Sequence, residues 1–167
     1  MNARSLAIIA LGSNIGDSQD ILLRAIKRLE TLSAEPLRRS SLWQTSPVDC
    51  PPGSPPFVNA VVGLAPRLRE TPESLLAGLL ALEKEFGRKL KLVHNEPRRL
   101  DLDLIAFGQE IRVSKSLTLP HPRATQRRFV LQPLSEFAPD LVLPGQVRTV
   151  SELLMRLETG EKLVRLG

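Results

Sequence analysis

Short hydrophobic runs and helically spaced hydrophobic positions divide the first part of the chain into regular elements. Residues 5–11 form an apolar run that ends at the polar sequence GSN, which predicts a buried first strand. From Ser18 to about residue 33 the hydrophobic residues recur at helical spacing, with Ser18 as the expected N-cap. Residues 36–45 and 57–65 are predicted strands, the second because of its β-branched and aromatic content.

The clearest helical pattern lies in the sequence TPESLLAGLLALEKEFGRK. Thr71 is the expected N-cap, Pro72 fits the first helical position, and Gly87 marks the C-terminal end. Glu83 lies at the edge of the hydrophobic stripe, and the residue four positions later, Gly87, cannot pair with its carboxylate. The predicted stripe consists of Leu75, Leu79, Leu82 and Phe86.

The sequence PRRLDLDLIAF, residues 97–107, alternates leucine with aspartate. This alternation predicts a strand with one apolar face and one face that carries Asp101 and Asp103. A turn is predicted at 107–110, and residues 116–139 combine a short strand, a proline-rich turn and a short helix.

The order of these elements predicts the fold class. Strand, helix, strand, strand, helix and strand follow one another, the βαββαβ order of a ferredoxin-like α+β sandwich with additional elements. We expect a single domain over residues 1–167, with irregular loops at about 46–56 and 88–97. A last helix is predicted at about 150–158, followed by a frayed end.

Composition narrows the class of protein. The 167 residues are 42% hydrophobic and 25% charged, as in an ordinary globular domain. The single cysteine, Cys50, excludes an internal disulfide and favours a reducing, cytoplasmic compartment. Residues 6–11 are too few to span a bilayer, and we interpret them as a strand rather than a targeting segment.

Positive charge is concentrated in one part of the chain. The net charge is +5, and between Arg88 and Arg128 there are ten Lys or Arg residues against four Asp or Glu. This excess indicates an anionic partner, either nucleic acid or a small molecule that carries phosphate. A solvated basic surface without a partner would give the same count.

The two aspartates are the first candidates for chemistry. On a strand they face the same way, roughly 6.5–7 Å apart, where Mg²⁺ takes one or two carboxylates together with substrate phosphates. The alternative is that they pair with nearby arginines on a solvated face. His121, held between two prolines, and Phe57 and Phe129, each beside polar residues, are further candidates, although surface and core roles are common for these residue types. The flanking arginines, whose guanidinium groups match phosphate oxygens, are Arg88, Arg98, Arg123, Arg127 and Arg128.

No P-loop, Rossmann glycine fingerprint, H-E-x-x-H or G-x-S-x-G motif is present. Instead, five motifs stand in the order found in one family: ALGSNIGD, TSP followed by FVNAV, LEKEFGR, PRRLDLDLI, and LPHPRATQRRFVLQPLSEFAP. Over about residues 6–144 the chain resembles the 6-hydroxymethyl-7,8-dihydropterin pyrophosphokinases. The resemblance implies a ferredoxin-like fold with mobile catalytic loops and transfer of pyrophosphate from ATP to the pterin, in folate biosynthesis.

The resemblance also implies roles for individual residues. Asp101 and Asp103 would bind two Mg²⁺ ions, and together with Arg88 and Arg98 they form the expected catalytic set. The residues expected to contact ATP are Glu83, Arg88, Arg98, Ile105, His121 and Arg127. The residues expected to contact the pterin are Thr45, Val48, Phe57, Asn59, Asn95 and Phe129, with the two phenylalanines stacking on the ring.

Several positions depart from the family pattern. Asn95 stands where some members carry a tryptophan, His94 where an arginine is common, Phe57 where some have a tyrosine, and Ser46 where the T-P-P form has a proline. These departures concern contacts of the predicted lid and leave both metal ligands in place.

Two non-enzymatic alternatives compete with this interpretation. A basic ferredoxin-like domain can bind nucleic acid without catalysis, but this chain has no RNP-type aromatic strand. A regulatory domain without chemistry would be expected to lose its metal ligands, and both aspartates are present. We therefore expect ATP and the pterin as partners of a cytoplasmic monomer, with neither nucleic acid nor membrane.

Overall fold

The computed structural model describes residues 2–46, 52–87 and 99–166. The predicted loop at 88–97 therefore lies outside the described residues, as does most of the first half of the loop at 46–56. The described elements, in chain order, are β1 (Ala7–Ser13), α1 (Ser18–Glu30), β2 (Arg38–Arg39), β3 (Leu42–Thr45), β4 (Phe57–Leu64), α2 (Pro72–Glu85), β5 (Asp101–Phe107), β6 (Arg112–Val113), β7 (Thr118–Leu119), α3 (Arg128–Ser135), α4 (Val150–Arg156) and β8 (Leu163–Leu166).

The main sheet has the strand order β5-β1-β4-β3-β8, and each neighbouring pair is antiparallel. The short strand β2 also pairs with β4 and belongs to the same sheet. Strands β6 and β7 form a separate two-stranded sheet. The helices α1 and α2 connect strands that run parallel with one strand between them. This arrangement confirms the predicted βαββαβ ferredoxin-like α+β class, to which the later elements are additions.

Helices cover both faces of the sheet. On one face, residues such as Ile9 and Leu11 of β1 join the hydrophobic side chains of α1 and α2 in one core. On the other face, Ile8 and Ala10 join those of α3 and α4 in a second core. All seven residues of β1 are buried for this reason, and a strand covered on both sides appears in sequence as a continuous apolar run.

The helix ends show where local sequence signals decided the structure. In α2 the side chain of Thr71 accepts the N–H of Ser74, while the Ser74 hydroxyl accepts the N–H of Thr71, and Gly87 follows with a φ of 92°. Both predicted ends are confirmed. In α1 the N-cap is Asp17 rather than Ser18, because the Asp17 carboxylate accepts the N–H of Asp20.

The last part of the chain differs from its prediction. Helix α4 ends at Arg156, and the residues expected to fray form β8, which pairs with β3 from Leu42 opposite Leu166 to Thr45 opposite Leu163. Only the first and last residues of β8 are partly buried. Such a short edge strand has too little hydrophobic alternation to be recognised from sequence. Within the described residues, no helix is long and apolar enough to cross a membrane.

Candidate functional site

Strand β5 carries the two aspartates at the edge of the sheet. Leu102 and Leu104 are buried in the core beneath α1 and α2, so Asp101 and Asp103 point to the opposite face, where both are partly exposed. The predicted alternation is confirmed. The two carboxylates are therefore held by a backbone that is anchored in the core, which limits their relative movement.

Glu83 supports this strand from α2. Its side chain is only 1% exposed, and its Oε2 atom accepts the backbone N–H of Leu102 at 2.7 Å, between the two aspartates. An edge strand leaves every second N–H without a strand partner, and here a carboxylate accepts one of them. The sequence predicted Glu83 at the edge of the hydrophobic stripe of α2. In the structure Glu83 is buried because β5 packs against that edge.

A β-bulge interrupts the pairing of β5 with β1. Leu104 lies opposite Ile9 and Ala106 opposite Ile8, so Ile105 is an extra residue in β5. Its carbonyl oxygen accepts the backbone N–H of His121 at 2.8 Å. Bulges often direct a strand toward a functional site, and this one brings the residue between the two prolines next to the acidic strand.

His121 lies close to charges of both signs. Its Nδ1 atom accepts the N–H of Arg123 at 3.2 Å, so the proton of the neutral imidazole is assigned to Nε2. Burial lowers the pKa of His121 below its ordinary value of 6.5, and the positive charges of Arg127 and Arg123 lower that pKa further, while Asp101 opposes them. His121 is thus a neutral hydrogen-bond donor at pH 7, beside Asp101 and two arginines. We call Asp101, Asp103, His121 and Arg127 the acidic side of the site, after its two aspartates.

A second group lies across β1 from the acidic strand. Gly12 pairs with Asp101 on one side and with Asn59 on the other, so Asn59 and Asp101 point to the same face. A Cβ atom on Gly12 would lie 3.0 Å from Nδ2 of Asn59 and 3.7 Å from Cδ1 of Phe57. The glycine therefore lets both side chains lie over β1.

A hydrogen bond joins two side chains of this second group. Thr45 and Asn59 are buried, and the Thr45 hydroxyl donates to Oδ1 of Asn59 at 2.6 Å. Phe57 lies opposite Thr45 in the sheet. Phe129, in the first turn of α3, is partly buried, and the Arg127 guanidinium carbon lies 5.3 Å from the centre of its ring. We call Thr45, Phe57, Asn59 and Phe129 the aromatic side of the site.

Of the residues predicted to form the site, the structure shows those of the acidic and aromatic sides together with Glu83 and Ile105. The predicted residues Val48, Arg88, Asn95 and Arg98 lie outside the described residues, as does His94.

Two residues near the site were not singled out from sequence. Gly12 belongs to the motif ALGSNIGD. The reason for a glycine at this position appears only in the structure, where Gly12 pairs with two strands at once. Trp43 lies opposite Asn59, and its indole N–H donates to Oε1 of Glu136 at 2.7 Å. The fact that the chain contains only one tryptophan was the only sequence signal for it.

The acidic side fits a hard divalent cation. Among the described residues, no cluster of three or more His, Cys, Asp or Glu side chains could hold a metal ion. Two carboxylates on one rigid face do match Mg²⁺, which takes one or two carboxylates and completes its coordination with phosphate and water oxygens. Such a site would suit a ligand that carries phosphate.

Comparison with known proteins gives the family. The model of the family 7,8-dihydro-6-hydroxymethylpterin-pyrophosphokinase matches residues 8–139. A 2-amino-4-hydroxy-6-hydroxymethyldihydropteridine pyrophosphokinase from Synechocystis sp. is 40% identical over 152 residues, which are 91% of this chain and 76% of the relative. The protein of the same name from Haemophilus influenzae is 37% identical over 162 residues, 96% of this chain and 98% of the relative.

Longer proteins contain a similar region. The folic acid synthesis protein fol1 of Pneumocystis carinii is 40% identical over 136 residues, 81% of this chain but 18% of that protein. The crystal structure of Plasmodium falciparum HPPK-DHPS with pteroate superimposes with a TM-score of 0.68 at 14% identity, over 90% of this chain and 42% of the other. That structural likeness supports the fold. Together with the family match over most of the chain and the two relatives of similar length, it shows that this chain belongs to the 7,8-dihydro-6-hydroxymethylpterin-pyrophosphokinase family.

Proposed function

We propose that this chain transfers the pyrophosphoryl group of ATP to 6-hydroxymethyl-7,8-dihydropterin in folate biosynthesis. The observation that carries the proposal is the arrangement across β1: two carboxylates on an anchored strand at one side, and at the other a buried, hydrogen-bonded Asn59 on the strand that begins with Phe57. The first group suits a metal-bound triphosphate. The second suits a flat heterocycle whose edge both donates and accepts hydrogen bonds.

In the proposed reaction, the hydroxymethyl oxygen of the pterin attacks the β-phosphorus of ATP. A bond forms between that oxygen and the β-phosphorus, the bond from the β-phosphorus to the oxygen bridging it to the α-phosphorus breaks, and AMP leaves with that oxygen. The hydroxyl proton passes to solvent. Little covalent chemistry is required of the protein, whose task is to position both substrates and to stabilise phosphoryl charge.

Asp101 and Asp103 would hold Mg²⁺, and we propose two ions. When bound, Mg²⁺ supplies positive charge that offsets the charge on the phosphoryl oxygens. Arg127 and the neutral His121 add donors beside that charge, and His121 can give its Nε2 proton in a hydrogen bond without carrying a net charge of its own. Arg88 and Arg98, in the segment beyond the described residues, are proposed to complete this set.

Two further predicted ATP contacts, Ile105 and Glu83, remain proposals. The side chain of Ile105 is buried, so a contact with ATP would have to come from its backbone. The Glu83 carboxylate accepts the Leu102 N–H and so contacts β5 directly. We propose that both residues act mainly by fixing the strand.

For the pterin, Phe57 and Phe129 would stack on the two faces of the ring, while Asn59 would contact its polar edge. Thr45 already donates to Oδ1 of Asn59 and so fixes the orientation of the amide. Nδ2 of Asn59 also donates to the Leu11 carbonyl oxygen at 3.5 Å, so the amide presents its second N–H and its remaining lone pair to a ligand. Val48 and Asn95 are further proposed contacts.

The test is incubation of the purified chain with ATP, Mg²⁺ and 6-hydroxymethyl-7,8-dihydropterin, followed by chromatography of the nucleotides. We expect AMP in an amount equal to the pterin diphosphate, and no AMP when the pterin is omitted or when EDTA removes the metal. Formation of ADP, or no pterin-dependent product, would contradict the proposal. Size-exclusion chromatography of the same sample tests the expected monomer.

A further inference from the structure

The N-terminus of α3 has no cap from its own neighbouring sequence. The N-cap residue is Arg127, whose side chain makes no capping hydrogen bond. The first N–H groups of a helix have no partner inside the helix and need an acceptor from elsewhere. Phe129 stands in this first turn, so whatever binds those N–H groups also orients its ring.

The acceptor comes from the last segment of the chain. Oε1 of Glu161 accepts the N–H of Arg128 at 3.1 Å, and Oε2 accepts the N–H of Phe129 at 3.2 Å. A single carboxylate thus caps two successive N–H groups, and its negative charge is favourable at the positive end of a helix. Glu161 is more than 30 residues from both donors, so no local sequence pattern announces this contact.

The segment that carries Glu161 is held to both parts of the aromatic side. Toward α3, the Arg128 side chain donates from Nη2 to the carbonyl of Leu157 at 2.9 Å. Toward β3, Leu163 lies opposite Thr45 in the sheet, and the Ser46 N–H donates to the carbonyl of Lys162 at 3.4 Å. Residues 157–163 therefore connect the helix that carries Phe129 with the strand that ends at Thr45.

We propose that Glu161 is a positioning residue for the pterin, which it serves by fixing the first turn of α3 and with it the ring of Phe129. The inference rests on the proposed function and adds to it a residue outside the family motifs. Glu161 would contact neither substrate. Its loss should weaken pterin binding while leaving the strand that holds Asp101 and Asp103 intact, because its hydrogen bonds within the described part of the chain go to Arg128, Phe129 and Thr159 and not to β5.

The test compares Glu161→Ala and Glu161→Gln with Glu158→Ala, which removes an exposed carboxylate from the same segment. We expect Glu161→Ala to raise the pterin KM, and the pterin Kd measured with a non-hydrolysable ATP analogue, about five- to tenfold. The KM for ATP and kcat should stay within about twofold. Glu161→Gln keeps one carbonyl acceptor and should lie between, whereas Glu158→Ala should match the wild type.

Amide hydrogen exchange separates the possible failures. The Arg128 and Phe129 amides should exchange faster in Glu161→Ala than in the wild type, a result that does not depend on turnover. If the wild type forms AMP but the pterin Kd of Glu161→Ala is unchanged, or if the KM values for ATP and pterin rise equally, the positioning role is wrong and the proposed function stands. If the wild type forms no AMP, the proposed function fails and the pterin role of Glu161 fails with it.

Discussion

The acidic and aromatic sides of the site are built in different ways. The acidic side combines two aspartates on one strand, whose leucines are fixed in the core, with His121 and Arg127, so all of its residues lie within residues 101–127. The aromatic side brings together residues from β3, β4 and α3: the Thr45–Asn59 hydrogen bond joins the two strands, and Glu161 caps the helix. One side is thus local in sequence, and the other is assembled over long distances.

This difference has a physical reason. Metal-bound phosphates need a few charges on one rigid element, which a single alternating strand provides. A flat ring needs contacts above, below and along its edge, which no single element can supply. We therefore expect substitutions on the acidic side to abolish the reaction, whereas those on the aromatic side should change affinity by smaller factors. The predictions below test that contrast.

The largest effect is expected for Asp103→Ala. Loss of one carboxylate of the proposed magnesium site should lower kcat by about 100- to 1000-fold, the cost typical of removing one group that stabilises transition-state charge. Because Asp103 is partly exposed and faces away from the leucine core, Tm should change little. Turnover is measured as AMP formation, and folding by circular dichroism. Activity near that of the wild type would show that the two-metal role is wrong.

Glu83→Ala should reduce stability rather than affinity alone. The substitution removes the acceptor of the buried Leu102 N–H, which should lower the free energy of unfolding by about 1–3 kcal/mol. Chemical denaturation measures this change. Glu83→Gln keeps an acceptor and should lose less. Glu85→Ala, two residues along the same helix, removes an exposed ion pair with Arg28 and should leave stability close to that of the wild type. Equal stability of all three variants would exclude a bracing role for Glu83.

On the aromatic side, Gly12→Ala tests the close approach of Asn59 and Phe57 to β1. The new Cβ would lie 3.0 Å from Nδ2 of Asn59, so that side chain must move. We expect the pterin KM to rise about fivefold, equivalent to about 1 kcal/mol, with little change in the KM for ATP. The control is Gly78→Ala in α2, whose Cβ would have only an ordinary contact at 3.9 Å with Leu32. An unchanged pterin KM in Gly12→Ala would argue against this geometry.

The smallest effect concerns the ionisation of His121. Its pKa should lie below 6.5, so the folded state binds fewer protons than the unfolded state at slightly acidic pH. The stability associated with the neutral ring is fully present above 6.5 and is lost as the pH falls through the folded-state pKa. An NMR titration of the imidazole measures the value. Arg123→Gln should raise the pKa of His121, but burial should still keep it below 6.5; a value at or above 6.5 in the wild type would contradict the local charge pattern.

The parts of the molecule that sequence predicted share one property: their determinants are local. The capped helix α2, the alternating strand β5 and the βαββαβ order could be derived from neighbouring residues. The buried place of Glu83 could not, because it depends on which strand lies at the edge of the sheet. Strand β8 and the cap from Glu161 depend on pairing across more than 30 residues, and Gly12 matters only because two partner strands flank it.

The burial of β1 between two helical layers sets how the protein can open. We expect an amide in the central strand to exchange with solvent only on global unfolding, whereas a helix end held by one carboxylate should open locally at much lower free energy. Gly12, in the central strand, therefore belongs to the most stable part of the molecule, whereas the first turn of α3, which carries Phe129, belongs to a less stable part. We expect the proposed pterin substrate to enter and leave through local movement of that turn, without any loosening of β5, the strand that would carry the metal.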